Sequence, residues 1–96
     1  MELTVADNAD RRRYEARLGS EVVGFIMYRL QPARGRMTLI HTEVDTALEG
    51  EGVGSQHVAG ALDDIRARGL AVVPICPFVS AYIRRHPEYS DLVAST

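Results

Sequence analysis

Ninety-six residues, 46% of them hydrophobic and 25% charged, suit one domain of ordinary composition near the lower size limit for a self-sufficient core. A formal net charge of -2 argues against a nucleic-acid binder, which carries a basic face, and no apolar run approaches the ~20 residues of a membrane-spanning helix. A single cysteine, Cys76, excludes an internal disulfide and, with no signal-peptide layout in "MELTVADNADRRR", points to the reducing cytoplasm.

The first half of the chain reads as strands. "RRRYEARLG" (Arg11 to Gly19) alternates around Tyr14, Ala16 and Leu18, and "EVVGFIMYRL" (Glu21 to Leu30) is rich in β-formers. Gly19-Ser20 between them predicts a two-residue turn and an antiparallel hairpin. "QPARG" turns the chain into a third strand, Arg36 to Val44. From Val53 to Arg68 the period changes. Val58, Ala61, Leu62 and Ile65 fall at i, i+3, i+4 and i+7 on one helical face, and Gly69 supplies the stop. "LAVVPI" (Leu70 to Ile75) is the short apolar run of a strand buried on both faces. "CPFVSAYIRR" reads as a second helix, with Pro77 at its first position and Pro87 ending it. The order β-β-β-α-β-α makes residues 1–96 a single α/β (α+β) domain. Antiparallel N-terminal strands precede a parallel βαβ unit with a right-handed crossover.

In such sheets ligands sit at the carboxyl ends of the parallel strands. Three features fall there: the glycines Gly50, Gly52 and Gly54 after the third strand, His41 near that strand's end, and Cys76 after the fourth. Bare backbone at a helix start presents N–H groups and the positive end of the helix dipole, and glycine lets a phosphate approach with no Cβ in the way. The loop is therefore a candidate pyrophosphate site. The competing reading is a flexible turn capped by Ser55. A P-loop lysine is absent and "GEGVGS" departs from GxGxxG spacing, so neither nucleotide motif applies.

Cys76 precedes Pro77 and so stands at the N-cap or in the first turn of the last helix, where a helix start favours thiolate and can lower a cysteine pKa below its usual ~8.5. It is a candidate nucleophile or acid, or a small buried apolar residue. Alternation places His41 on the strand face of Met37 and Leu39, where it is a candidate base or a hydrogen-bonded core histidine. Glu43, two residues on, is placed to orient His41 or replace it. His57 is expected on an exposed helix flank, and His86 at the free carbonyls ending the last helix. Nothing has the spacing of a metal site.

"EGEGVGS" resembles the Q/R-x-x-G-x-G/A pyrophosphate loop of the GNAT acetyltransferase superfamily through Glu49, Gly52 and Gly54, with Glu49 where the family has Gln or Arg. "HTEV", "GEGVGSQHVAGALDDIRARGL", "PICPFV" and "RRHPEY" resemble the short stand-alone acetyltransferase-domain group called YjdJ-like, in order and over nearly the whole chain. The resemblance implies a compact, truncated GNAT fold that binds acetyl-CoA and no metal. Gly50, Glu51, Gly52, Val53, Gly54 and Ser55 would form the coenzyme loop, with the acetyl-pantetheine arm between two splayed parallel strands. Cys76 is then the candidate catalytic residue, and Tyr82 either resembles the tyrosine that protonates the leaving thiolate or serves in packing. Arg84 and Arg85 are placed to meet the acidic tail or a coenzyme 3′-phosphate, or simply to solvate the end of the helix. The N-terminal helices that help build the amine groove of larger relatives are missing, which leaves the acceptor unspecified. The implied function is an acetyl-CoA-dependent N-acetyltransferase acting on a primary amine of a protein or small molecule. The alternative is a non-catalytic module that holds coenzyme A or an acyl-CoA. Either is expected as a cytoplasmic monomer or weak homodimer with no nucleic-acid or membrane partner.

Overall fold

In the computed structural model, which describes residues 3–48 and 50–94, five strands lie side by side in sequence order: β1 (Leu3–Asn8), β2 (Arg13–Leu18), β3 (Glu21–Gln31), β4 (Arg36–Val44) and β5 (Ala71–Pro74). Helix α1 (Val53–Ala67) crosses from β4 to β5, and α2 (Pro77–Arg85) follows. All neighbours run antiparallel except β4 and β5, which are parallel as a helical crossover requires. The α+β class is as expected from the sequence. The order gains one element, β1, making it β-β-β-β-α-β-α. Strand β1 belongs to the sheet because Leu3 and Val5 pack on the core and Asp7 accepts the Tyr28 hydroxyl at 2.5 Å. Among the described residues no helix is long and apolar enough to cross a membrane.

Both helices cover the same face of the sheet. Val58, Ala61, Leu62 and Ile65 of α1 join Val79 and Ile83 of α2 over Tyr14, Ile26, Met37, Leu39 and Val72. The buried stripe of α1 is wider than the sequence period indicates, because the i, i+4 ridge Val53, His57, Ala61, Ile65 is also buried. His57 is thus no exposed flank residue but lies wholly in the interior. One ring nitrogen, Nε2, donates to the Tyr14 carbonyl at 2.9 Å, while Nδ1 has no partner among the described residues. At the other end of α1, Asp64 accepts the Tyr14 hydroxyl at 2.6 Å, and Arg68 pairs with both Asp64 and Asp7.

The opposite face of the sheet carries no helix among the described residues. Two cross-strand rows define it: Asn8, Arg13, Met27, His41 and Ala6, Glu15, Phe25, Glu43. Glu15 is buried there beneath Arg13 at 2.9 Å and Arg17 at 2.6 Å. The Arg17 hydrogen bond, outweighing the effect of burial, holds the Glu15 carboxyl down to about 2.

Candidate active site

The parallel pairing of β4 with β5 runs from Arg36 and Ala71 to Leu39 and Pro74, then stops. Cys76 N–H closes the split by donating to the Leu39 carbonyl at 2.9 Å, and residues 40–44 continue β4 without a β5 partner. On the other side Met27 pairs with His41 and Tyr28 with Leu39, so Ile40 is the extra residue of a bulge. The bulge inverts the alternation. Thr42 turns to the helix side, whereas His41 and Glu43 turn to the open face. His41 therefore does not share the face of Met37 and Leu39, as unbroken alternation would have it. Those two are fully buried, and the His41 side chain is 54% exposed.

After β4 the chain makes one short turn and enters α1 through Gly50 and Gly52, at φ 84° and 77°. Only glycine adopts such angles without strain, and Gly52 is the N-cap, with no side-chain hydrogen bond to it. The first backbone bond of the helix runs from Gln56 N–H to the Gly52 carbonyl at 3.0 Å, so the N–H groups of Val53, Gly54 and Ser55 precede the ladder. Ser55 lies inside the helix and does not cap it. The first turn of α1 carries no acidic residue, and Glu51 is exposed. The family position at Glu49 lies outside the described residues.

Gly50, Gly52, Val53, Gly54 and Ser55 form one wall of a cavity of about 470 Å³. Thr42 and Val44 of β4, with Leu48 and Phe78, form the other. A second cavity of about 770 Å³ opens on the uncovered sheet face beside Phe25, Glu43 and Asp45. Thr42 and Val44 line both. On the helix side the Thr42 hydroxyl is 3.3 Å from the sulfur of buried Cys76, which is the N-cap of α2. On the open side His41 Nε2 is 3.5 Å from Glu43 Oε1. The candidate catalytic residues thus divide across β4.

A sequence model described as GCN5-related N-acetyl-transferase matches residues 13–92. The chain belongs to this family. Solved structures with the same fold include the solution structure of a GCN5-like putative N-acetyltransferase from Staphylococcus aureus, at 19% identity and TM-score 0.68, covering 99% of this chain and 89% of that one. The ribosomal-protein-alanine N-acetyltransferase of Brucella melitensis biovar Abortus 2308 is 20% identical at TM-score 0.56, and the match covers 88% of this chain and 62% of that one. Nourseothricin acetyltransferase is 17% identical at TM-score 0.51, with 91% of this chain and 66% of that one covered. A search of curated protein sequences finds no significant match.

Six expected site residues of this N-acetyltransferase line neither cavity. His41 and Cys76 border residues that do, Glu43 and Thr42, and Glu51 lies between the lining residues Gly50 and Gly52, whereas Tyr82, Arg84 and Arg85 are turned elsewhere. Tyr82 stacks on His86 at 3.9 Å and leans toward Tyr89, because α2 turns that face to the C-terminal segment. Arg84 and Arg85 occupy the last turn of α2, at the opposite end from the cavity, and Arg84 donates to Ser80 at 2.9 Å. The tail carboxylate of Asp91 is taken by Arg66 instead, at 2.9 Å. His86 does bond a helix-end carbonyl, that of Tyr82, at 2.9 Å. Four lining residues were not among the expected site residues: Thr42, Val44, Leu48 and Phe78. Thr42 gave no signal, since its facing depends on the bulge. Phe78 gave one: a large apolar residue in the first turn of a helix beside a glycine loop. Among the described residues no group of three or more His, Cys, Asp or Glu is placed to hold a metal ion.

Proposed function

We propose that the protein transfers an acetyl group from acetyl-CoA to a primary amine, the two substrates approaching from opposite flanks of β4. The observation that carries this reading is the meeting of two cavities at Thr42 and Val44, on the stretch of β4 with no β5 neighbour. The first cavity suits the coenzyme. The uncapped start of α1 offers backbone donors and a positive dipole end to the pyrophosphate. The free edge of β4 can pair with the amide-bearing pantetheine arm as it would with an added strand.

The open-face cavity suits the amine. Its nitrogen attacks the thioester carbonyl carbon, and its proton passes to the His41–Glu43 pair. The C–S bond then breaks, and the sulfur leaves on the helix side as a thiolate that takes up a proton. Base catalysis of this kind contributes about 10²–10⁴-fold. Cys76 and Thr42 lie on the side where the sulfur departs. The domain is proposed to act in the cytoplasm as a monomer or weak homodimer, within the short stand-alone YjdJ-like group.

The test is release of free coenzyme A thiol together with mass-spectrometric detection of the acetylated product, across a panel of amines, peptides and polyamines. Acetylation of at least one amine is expected. Coenzyme A binding with no transfer to any of them would favour the second reading, a coenzyme-binding module. The placement of Tyr82 away from the cavity is the observation on that side.

A further inference from the structure

Phe78 is the second residue of α2, and its side chain is held open to solvent by its place in the first turn, 46% exposed. Its ring does not hang free. A Cβ built on Gly54 would lie 2.7 Å from the tip of the ring and 3.3 and 3.5 Å from the two flanking carbons. The ring therefore rests against the bare backbone of the first turn of α1. A side chain at position 54 would push it away. Phe78 spans the gap between the starts of the two helices and lines the cavity that also holds Thr42. A ligand whose anionic end sat at the start of α1 and whose acyl end reached β4 would run through the cavity that this ring lines.

We infer that Phe78, seated on Gly54, positions the pantetheine arm of the coenzyme in this N-acetyltransferase. The inference rests on the acetyl-CoA reading and names a contact that the glycine loop does not supply. The pantetheine arm carries methylenes and a dimethyl carbon between its amides, and burying that apolar surface on a half-exposed ring is favourable. Gly54 thus has its own reason to be glycine: open space lies over Gly50 and Gly52, whereas Gly54 seats the ring that holds the arm. The residue acts on binding and placement of the arm, not on the bonds that change.

Calorimetric titration with two probes tests this: coenzyme A, and 3′,5′-ADP, which keeps phosphates but has no pantetheine. Phe78→Ala should bind coenzyme A about tenfold more weakly, a loss typical of a truncated aromatic contact, with 3′,5′-ADP affinity unchanged. Phe78→Leu, which keeps apolar bulk, should recover most of the loss. Gly54→Ala should weaken coenzyme A in the wild-type background and add little in the Phe78→Ala background, as coupled neighbours do. Thermal unfolding of each variant confirms the fold. Equal or tighter coenzyme A binding by Phe78→Ala, or an equal loss for both probes, overturns the inference while leaving the acetyl-CoA reading intact. Fully additive losses overturn the seating of Phe78 on Gly54. Failure of the wild type to bind either probe overturns both readings together.

Discussion

The Thr42 hydroxyl lies 3.3 Å from the Cys76 sulfur, joining the bulged stretch of β4 to the N-cap of α2. The pair sits on the helix side of the sheet, away from His41 and Glu43. A covalent route would need an amine on the open face to reach a sulfur that is buried and engaged by Thr42. Direct transfer needs the two substrates to meet only at the edge of β4. Incubation with acetyl-CoA and no acceptor should therefore leave no acetyl mass on the intact protein. Turnover should fall modestly, by less than about tenfold, in Cys76→Ala, and by about a hundredfold or more in His41→Ala or Glu43→Gln. A hydroxylamine-labile acetyl adduct on the wild type, absent from Cys76→Ser, would reverse the assignment.

Coenzyme A should stabilise the fold. In the proposed binding mode its anionic end would meet a helix start that is already formed, so little ordering would oppose binding. At ~100 times the dissociation constant, linkage contributes about 2.7 kcal/mol, a melting shift on the order of 10 °C for a domain of this size. ATP, which lacks the pantetheine arm, should shift the midpoint less. Scanning fluorimetry with millimolar ligand reads both, and an unmoved midpoint with coenzyme A counts against the coenzyme reading.

What the sequence made legible was local. The bounds of β4, the start of α1 at Val53 and the place of Cys76 at the head of α2 followed from glycine, proline and apolar period. Misplaced residues depended on partners far along the chain. His41 changes face because β3 pairs past Ile40, a register that β4 alone does not encode. His57 is buried because α1 lies across a sheet widened by β1, with Val5 packed on Gly60 and the Tyr14 carbonyl hydrogen-bonded to the imidazole. Tyr82 sits at helical spacing for either side of α2, and the C-terminal segment carrying Tyr89 decides which. The glycine-rich start of α1 was thus readable in the sequence, and the facing of the side chains on β4 was not.

Glu15 makes acid stability a property of the open face. Its carboxyl titrates at about 2 in the folded protein, against 4.5 ordinarily, because Arg17, Asn8 and Arg13 all donate to it. Above pH 4.5 the carboxylate contributes fully. As pH falls below that value the unfolded chain takes up the proton first, and the contribution is lost progressively toward pH 2. Glu15→Gln should lower stability at pH 7 by roughly 1–3 kcal/mol, since charge-assisted hydrogen bonds are replaced by weaker ones. It should also flatten the fall in melting temperature between pH 5 and pH 3. Parallel profiles for wild type and variant would show that the arginines do not hold this carboxylate.

His57 acts in a different pH range, and its effect is a loss rather than a gain. Burial pushes the imidazole below its ordinary 6.5, and the hydrogen bond to the Tyr14 carbonyl, which favours the cation, does not offset this. Because that carbonyl can only accept, Nε2 carries the proton and Nδ1 is left as a buried acceptor without a partner among the described residues. Above pH 6.5 the ring is neutral in both the folded and the unfolded chain, and it adds no pH dependence. Below pH 6.5 the unfolded chain binds a proton that the folded chain refuses, so stability falls as the solution is acidified. The slope approaches about 1.4 kcal/mol per pH unit until the folded-state titration is reached. His57→Gln keeps an N–H that can reach the Tyr14 carbonyl and has no titration in this range. Urea midpoints measured from pH 7.5 to pH 5 should decline more steeply for the wild type than for His57→Gln. If the two decline together, protonation of His57 is tolerated inside the fold, and the acid sensitivity belongs to other groups.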